Sequence, residues 1–363
     1  MSDDRVETNT VKPALTAGFA LVYVPPHTRS VINSSLSESP LAFGCTGPSN
    51  IDRMSGSIAT RPPLRGLLID LSGTIHIGSK AIDNAVHAID SLRRHKIPFR
   101  FCSNTSKEST AAVEARLAEI GIRLAVSDHG AKKETWTSIG AVQKHLIESG
   151  VKNPYLILSD SAKDEIESLH DAGEKSPYDG VVVGLCPSLL NYETLNTAFR
   201  ILVGENEVEP PSKQLDGEPL LSAKVKKVVP LIATHKAKYR ESSSPPGLSL
   251  GPGPFVAALE YAAGVKADVL GKPSRKFFET VIGSFDDIEV EGRAGKIAII
   301  GDDVEADLGE GAIELGLWRV LVRTGKYRPG DENKQGVTPP DEVHDSFASF
   351  VASVLGSPSG GSP

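Results

Sequence analysis

The stretch Leu64–Thr74 reads LRGLLIDLSGT, and the architecture can be worked outward from it. Three apolar residues in a row, Leu67, Leu68 and Ile69, end on a single acid, Asp70. Ser72, Gly73 and Thr74 follow. An apolar run on successive residues, closed by a glycine, predicts a strand buried on both faces. A carboxylate at the carboxyl end of such a strand sits where open α/β sheets hold their ligands. Asp70 is then a nucleophile, a metal ligand or both; otherwise it caps the next turn. The motif D-x-S-G-T alone leaves these alternatives open.

Downstream, Ile82, Val86, Ile89 and Leu92 recur at helical spacing, and His95-Lys96 makes a cationic helix end before Pro98. Phe99 to Cys102 then predicts a second strand, ending in Ser103-Asn104-Thr105. Val113, Leu117 and Ile120 mark another helix, with Thr105 and Glu108 in capping-box spacing. Alternating strands and helices at this spacing predict an α/β fold with a doubly wound parallel sheet. Trp136 to Ile147 reads as a third helix. Short strand candidates follow at Tyr155–Leu158, Val181–Val183 and Leu231–Ala233, with Glu205 to Lys227 as a polar loop insertion. They predict a smaller α/β unit over 149–239, inserted between core segments 63–148 and 240–355. Ser242 to Pro246 reads as the loop back to the core. A helix is expected from Phe255 to Tyr261, and a short core strand at Asp268–Gly271 ends at Lys272-Pro273. Phe277, Phe278, Val281 and Ile282 share a helical face. Lys296–Ile300 is a buried strand ending in Gly301-Asp302-Asp303. A helix through Asp307 stops near Gly316, and Trp318–Val322 is the last strand. Residues 1–62 and 356–363, rich in Ser, Pro, Thr and Gly, are expected to be disordered.

The chain has 363 residues, a net charge of −7 and three well-separated cysteines, Cys45, Cys102 and Cys186. No basic patch suggests a nucleic-acid footprint, and no apolar run is long enough to span a bilayer. The cysteines form neither a disulfide framework nor a zinc pattern, which favours a reducing, cytoplasmic setting.

Polar groups now stand at four predicted strand ends: Asp70; Ser103 with Asn104; Lys272; and Asp302 with Asp303 and Asp307. A doubly wound sheet gathers such ends at one edge. Clustered carboxylates repel and need a cation, and oxygen ligands without His or Cys favour Mg²⁺. An ammonium and short hydroxyl or amide donors beside the metal can hold a phosphoryl group.

The four segments, in this order, resemble the haloacid dehalogenase superfamily of phosphohydrolases, in the subgroup with large α/β caps. D-L-S-G-T at Asp70 is similar to its first motif and Ser103-Asn104 to the second. Gly271-Lys272-Pro273 resembles the third, and G-D-D-x-x-x-D at Gly301–Asp307 the fourth. The resemblance implies a Rossmann-like core and attack by Asp70 on phosphorus, through an aspartyl-phosphate. It implies Mg²⁺ held by Asp70, Asp302 and the carbonyl of Ser72. It assigns the phosphoryl oxygens to Lys272, Ser103, Asn104 and Thr105, with Asp303 or Asp307 supporting Lys272 or metal-bound water. It also implies a small phosphorylated substrate or phospho-amino acid, and a homodimer through the cap. His235, Lys236, Tyr239 and Arg240, at the return from cap to core, are candidates for choosing the substrate, or else form a basic surface loop.

Ser72 departs from the pattern. Most phosphatases of the superfamily carry an Asp there, which protonates the leaving oxygen and later activates water. A hydroxyl titrates too high for that work near pH 7, and general acid–base catalysis typically contributes about 10²–10⁴-fold. The expectation is a Mg²⁺-dependent phosphatase, weak on alkyl monoesters and better on acyl phosphates, phosphoramidates or aryl phosphates. The alternative is a phosphate-binding or scaffold protein that has lost turnover. Carbon–halogen hydrolysis needs no Mg²⁺ and leaves the acidic cluster unexplained.

Overall fold

Leu67, Leu68 and Ile69 have no exposed surface in the computed structural model, which describes residues 61–124, 133–167, 177–205, 229–243, 245–285 and 292–356. Alternate residues of the run point to opposite sides. Leu67 and Ile69 join one apolar cluster with Phe101, Ile300 and Val320, while Leu68 joins another with Phe277, Phe278 and Ile299. Burial on both faces is why the segment lacks polar alternation.

The first core segment contains β1 (Leu64–Asp70), a small hairpin of β2 (His76–Ile77) and β3 (Lys80–Ala81), then α1 (Ala85–Arg94), β4 (Phe99–Ser103), α2 (Thr110–Glu119), β5 (Thr135–Thr137) and α3 (Ser138–Ser149). The inserted unit contributes β6 (Pro154–Ile157), α4 (Asp160–Glu167), β7 (Gly180–Val183), α5 (Tyr192–Leu202), β8 (Leu231–Ala233), the hairpin β9 (Tyr239–Ser243) and β10 (Pro246–Leu250), α6 (Gly253–Ala263) and β11 (Asp268–Val269). The core resumes with α7 (Arg275–Ile282), β12 (Lys296–Gly301), α8 (Glu310–Glu314), β13 (Trp318–Val322), β14 (Glu342–His344) and α9 (Phe347–Leu355).

The core sheet has the order β14-β13-β12-β1-β4-β5, with every pairing parallel. From β1 the chain winds outward through β4 and β5, and later through β12, β13 and β14 on the other side. The winding reverses between β1 and β12, and their carboxyl ends carry Asp70 and Asp302.

Several boundaries differ from those expected. The cap sheet has the order β11-β8-β7-β6, so Asp268–Val269 pairs with β8 rather than with the core. Val256 and Leu259 of α6 also pack in the cap cluster with Val181, Val183 and Ile201. The inserted unit therefore extends to about residue 270, not 239. Ser242 and Pro246 lie in antiparallel strands instead of a loop. Trp136 lies in β5 and precedes its helix, because Thr137 is the cap, accepting the amide of Gly140 at 3.0 Å. Helix α2 is capped by Ser109, not by a Thr105–Glu108 box. Asp307 lies in a turn ahead of α8. The expected extension, up to residue 60, nearly all of the 205–227 insertion, and the tail beyond Gly356 lie outside the described residues.

The cap is tied to the start of α2. The Leu185 amide donates to Ser106 Oγ at 2.8 Å, Ser159 Oγ donates to the Lys107 carbonyl at 2.7 Å, and Thr110 Oγ1 donates to Glu165 at 2.8 Å. Among the described residues, no helix is long and apolar enough to cross a membrane.

Candidate active site

Asp70 ends β1 with its carboxylate buried. Lys272 Nζ donates to Asp70 Oδ1 at 2.5 Å and to Asp307 Oδ1 at 2.7 Å, and the lysine is wholly buried. Thr74 Oγ1 donates to Asp70 Oδ2 at 3.2 Å. Carboxylate oxygens of Asp70, Asp302 and Asp307 lie within 4.8 Å of one another. The four predicted strand ends thus meet, although Lys272 arrives on the return from the cap.

Asp302 shows most clearly what the site lacks. Its Oδ2 accepts the amide of Lys326 at 2.7 Å, while its Oδ1 is buried without a partner. The carboxylate is wedged between two glycines. A Cβ on Gly73 would lie 1.9 Å from Asp302 Oδ2, and one on Gly325 would lie 2.0 Å from it. Both glycines have positive φ, +96° and +57°, so a side chain is disfavoured by backbone as well as by space. Thr324 Oγ1 donates to the Gly73 carbonyl at 2.5 Å and ties the two turns together.

The electrostatics agree. Burial, reinforced by Asp307, pushes the Asp70 carboxyl up to about 6, against the pull of Lys272 and Lys326. Burial raises Asp302 well above the usual carboxylate range, with Lys326 opposing. Burial would raise Asp307 too, but Lys272 and Lys326 outweigh it and hold its carboxyl low. Burial opposes the charge on Lys272, but Asp307 and Asp70 more than compensate and keep it an ammonium. Three buried carboxylates therefore face one wholly buried ammonium, Lys272, and one half-buried, Lys326, and the acid with the free oxygen is the one least able to ionise. A divalent cation fits this position: it would satisfy Asp302 Oδ1 and supply the missing charge. All-oxygen donors suit Mg²⁺ or Ca²⁺.

Some expected residues do other work. The Asn104 amide is engaged on Lys272: its Oδ1 accepts the Lys272 N–H and its Nδ2 donates to the Lys272 carbonyl, both at 2.8 Å. Those two bonds tie Asn104 to the main chain of Lys272. Thr105 contributes main chain, its amide donating to Ser103 Oγ at 3.2 Å and its carbonyl accepting from Ser138 Oγ. Asp307, not Asp303, holds Lys272. Asp303 Oδ1 instead closes its own turn by accepting the amides of Glu305 and Ala306, and its Oδ2 accepts from Lys326 Nζ at 3.3 Å. Ser72 is exposed, with no carboxylate to offer. Of the cap candidates, His235 is buried near the centre. Lys236 is paired with Glu260 at 2.7 Å, Tyr239 lies under Lys334, and Arg240 adds its repulsion to the burial that lowers the pKa of Lys107. Lys326 and Thr74 were not anticipated. Lys326 follows the end of the predicted strand Trp318–Val322, so the strand-end rule that located Asp302 also covers it.

A family model described as haloacid dehalogenase-like hydrolase matches residues 67–171, and a second, HAD-hydrolase-like, matches 269–350. A curated protein from Bos taurus, haloacid dehalogenase-like hydrolase domain-containing protein 2, is 37% identical over 283 residues, which is 78% of this chain and 93% of that one. The chain belongs to the haloacid dehalogenase-like hydrolases. Human phospholysine phosphohistidine inorganic pyrophosphate phosphatase is 33% identical to this hydrolase, across 80% of the chain and 94% of the relative. Among solved structures, p-nitrophenyl phosphatase from Archaeoglobus fulgidus superimposes with a TM-score of 0.62 at 21% identity, covering 80% of this chain and all (100%) of that one. Glycerol phosphate phosphatase from Mycobacterium tuberculosis, solved in complex with calcium, gives 0.58 at 22% identity, covering 79% and 74%. At these identities the structures establish the shared fold. The hydrolase is an enzyme with phosphatases among its relatives.

Proposed function

We propose that this hydrolase is a Mg²⁺-dependent phosphatase working through an aspartyl-phosphate on Asp70. The observation that carries the proposal is the buried Asp70–Lys272–Asp307 ion-pair chain beside the partnerless oxygen of Asp302. Asp70 attacks phosphorus in line. Its carboxylate is ionised by Lys272 on one oxygen and oriented by Thr74 on the other. The Lys272 ammonium shifts part of its hydrogen bonding to the phosphoryl oxygens as Asp70 loses charge to the new bond. The Ser103 hydroxyl lies at the neighbouring strand end and donates to the same group. Asp307 keeps Lys272 charged throughout. Asp70, Asp302 and the Ser72 carbonyl would hold Mg²⁺, which neutralises phosphoryl charge when bound.

Ser72 replaces the usual acid, so poor leaving groups suffer most. Substrates should be small phosphorylated compounds or phospho-amino acids with good leaving groups. The phosphatase relative named for phospholysine and phosphohistidine supports that class. Cys102 and Cys186 are free and buried, in keeping with a cytoplasmic setting. Ser72 also favours a second proposal, a phosphate-binding protein without turnover.

Hydrolysis of an acyl phosphate and an alkyl phosphate ester, with Mg²⁺ and with EDTA, separates the two. The phosphatase cleaves the acyl phosphate only with Mg²⁺, and Asp70→Asn abolishes it. A protein that binds phosphate and cleaves neither supports the second proposal.

A further inference from the structure

His235 closes the cap side of the active centre in a way the reaction above does not use. It follows β8 in the segment Thr234–Lys238, and that segment is fixed by close main-chain packing. A Cβ on Gly271 would lie 2.4 Å from the Thr234 carbonyl oxygen, one on Gly253 would lie 2.5 Å from the Lys236 carbonyl oxygen, and one on Gly251 would lie 2.2 Å from that of Ala237. Gly271 immediately precedes Lys272, so the His235 loop and the catalytic lysine are held against each other. The ring is buried, and its charged neighbours are Lys326, Lys272 and Asp307, the groups that surround the reacting carboxylate.

The hydrogen bonding sets the tautomer. His235 Nδ1 accepts the amide of Ala237 at 3.3 Å, so in the neutral ring the proton sits on Nε2, the nitrogen turned away from the loop. Burial, with Lys326 and Lys272 adding to it, pushes the ring down to about 3, despite Asp307. The imidazole is therefore a fixed, uncharged N–H donor across the working pH range. A neutral histidine of this kind polarises an oxygen without giving up its proton.

We propose, resting on the phosphatase reading above, that His235 donates its Nε2–H to the leaving-group oxygen of the substrate. It thereby supplies from the cap part of the stabilisation that Ser72 cannot supply from the core. As the Asp70–phosphorus bond forms, the bond from phosphorus to the leaving oxygen breaks and the electron pair stays on that oxygen. The imidazole keeps its proton and hydrogen-bonds the developing anion, which then takes a proton from water. The donor matters most where the leaving anion is least stable on its own.

The test is a series of aryl phosphates with phenols of increasing pKa, cleaved with Mg²⁺ by wild type, His235→Ala and His235→Gln. One charge-directed hydrogen bond is expected to be worth about ten- to a hundred-fold in kcat/KM for the worst leaving groups. His235→Ala should lose that much on phenyl phosphate and little on 2,4-dinitrophenyl phosphate, steepening the dependence on leaving-group pKa. His235→Gln, which carries a side-chain N–H, should recover part of the loss. Melting temperatures of both variants check that the cap remains folded. An equal loss across the series in both variants, or a change in KM alone, overturns the role while leaving the phosphatase reading intact. A wild type silent on every ester and on an acyl phosphate overturns both.

Discussion

Asn104→Ala separates a residue that positions Lys272 from one that binds phosphate. The Asn104 amide makes two hydrogen bonds, both 2.8 Å, to the N–H and C=O of Lys272. Each such bond contributes about 0.5–1.5 kcal/mol net, so losing the pair costs about 1–3 kcal/mol. For a protein of this size that is a fall in melting temperature of several degrees. The catalytic effect comes through Lys272, whose ammonium must lie between Asp70 and Asp307; a shift of about 1 Å in such a group can lower the rate about 10²-fold. The assays are thermal unfolding of the Mg²⁺-free protein and steady-state hydrolysis of an aryl phosphate. The expected pattern is a lowered melting temperature together with a lowered kcat. An unchanged melting temperature with only a raised KM would mean that the amide reaches the substrate directly, and the positioning role would be wrong.

Other perturbations read the rest of the site. Gly73→Ala and Gly325→Ala each drive a methyl onto Asp302, so both should lower the melting temperature and weaken Mg²⁺-dependent activity; a tolerated alanine at either position contradicts the close approach. Ser72→Asp should raise hydrolysis of an alkyl phosphate by up to about 10²–10⁴-fold, and no gain would show that the missing acid is not what limits the enzyme. The folded-state pKa of Asp70 is about 6, above its unfolded value of 3.8, so the folded protein binds that proton more tightly. Its contribution therefore falls as pH rises from about 4 to about 6, by up to about 3 kcal/mol, in the metal-free protein. Mg²⁺ should offset that loss, and its stabilising effect in thermal shift should grow over the same pH window; a Mg²⁺ effect independent of pH argues against a site at these carboxylates.

The core was legible wherever burial on both faces left a continuous apolar signature. β1 and the strand before Gly301 carry it, and it located Asp70 and Asp302 at their ends, while in Trp318–Val322 the buried Arg319 interrupts an otherwise apolar run. Lys272 was legible by its neighbours, but the sheet preceding it was not. A two-residue strand such as Asp268–Val269 has too little sequence to show whether it pairs with β8 or with the core, and its cap membership rests on α6 packing against the cap. The hairpin through Ser242 and Pro246 was hidden by turn-forming residues with little intrinsic strand preference. At the site, residue types were readable while their partners were not. Asn104 was recognisable as a polar strand-end residue, but only the path of the chain at Lys272 shows that its amide bonds the main chain there. Lys326 stood in an ordinary basic turn, and its importance depends on where that turn folds: over Asp302, with Gly325 allowing the approach.

The most direct test of the central claim is to trap the covalent intermediate. The Mg²⁺-loaded hydrolase is mixed with an aryl phosphate, quenched in acid within milliseconds and digested for mass spectrometry. A peptide containing Asp70 that carries one phosphoryl group, labile to hydroxylamine and absent from Asp70→Asn, is the predicted result. Turnover with no phosphoryl group on Asp70, or turnover that survives Asp70→Asn, would contradict the account.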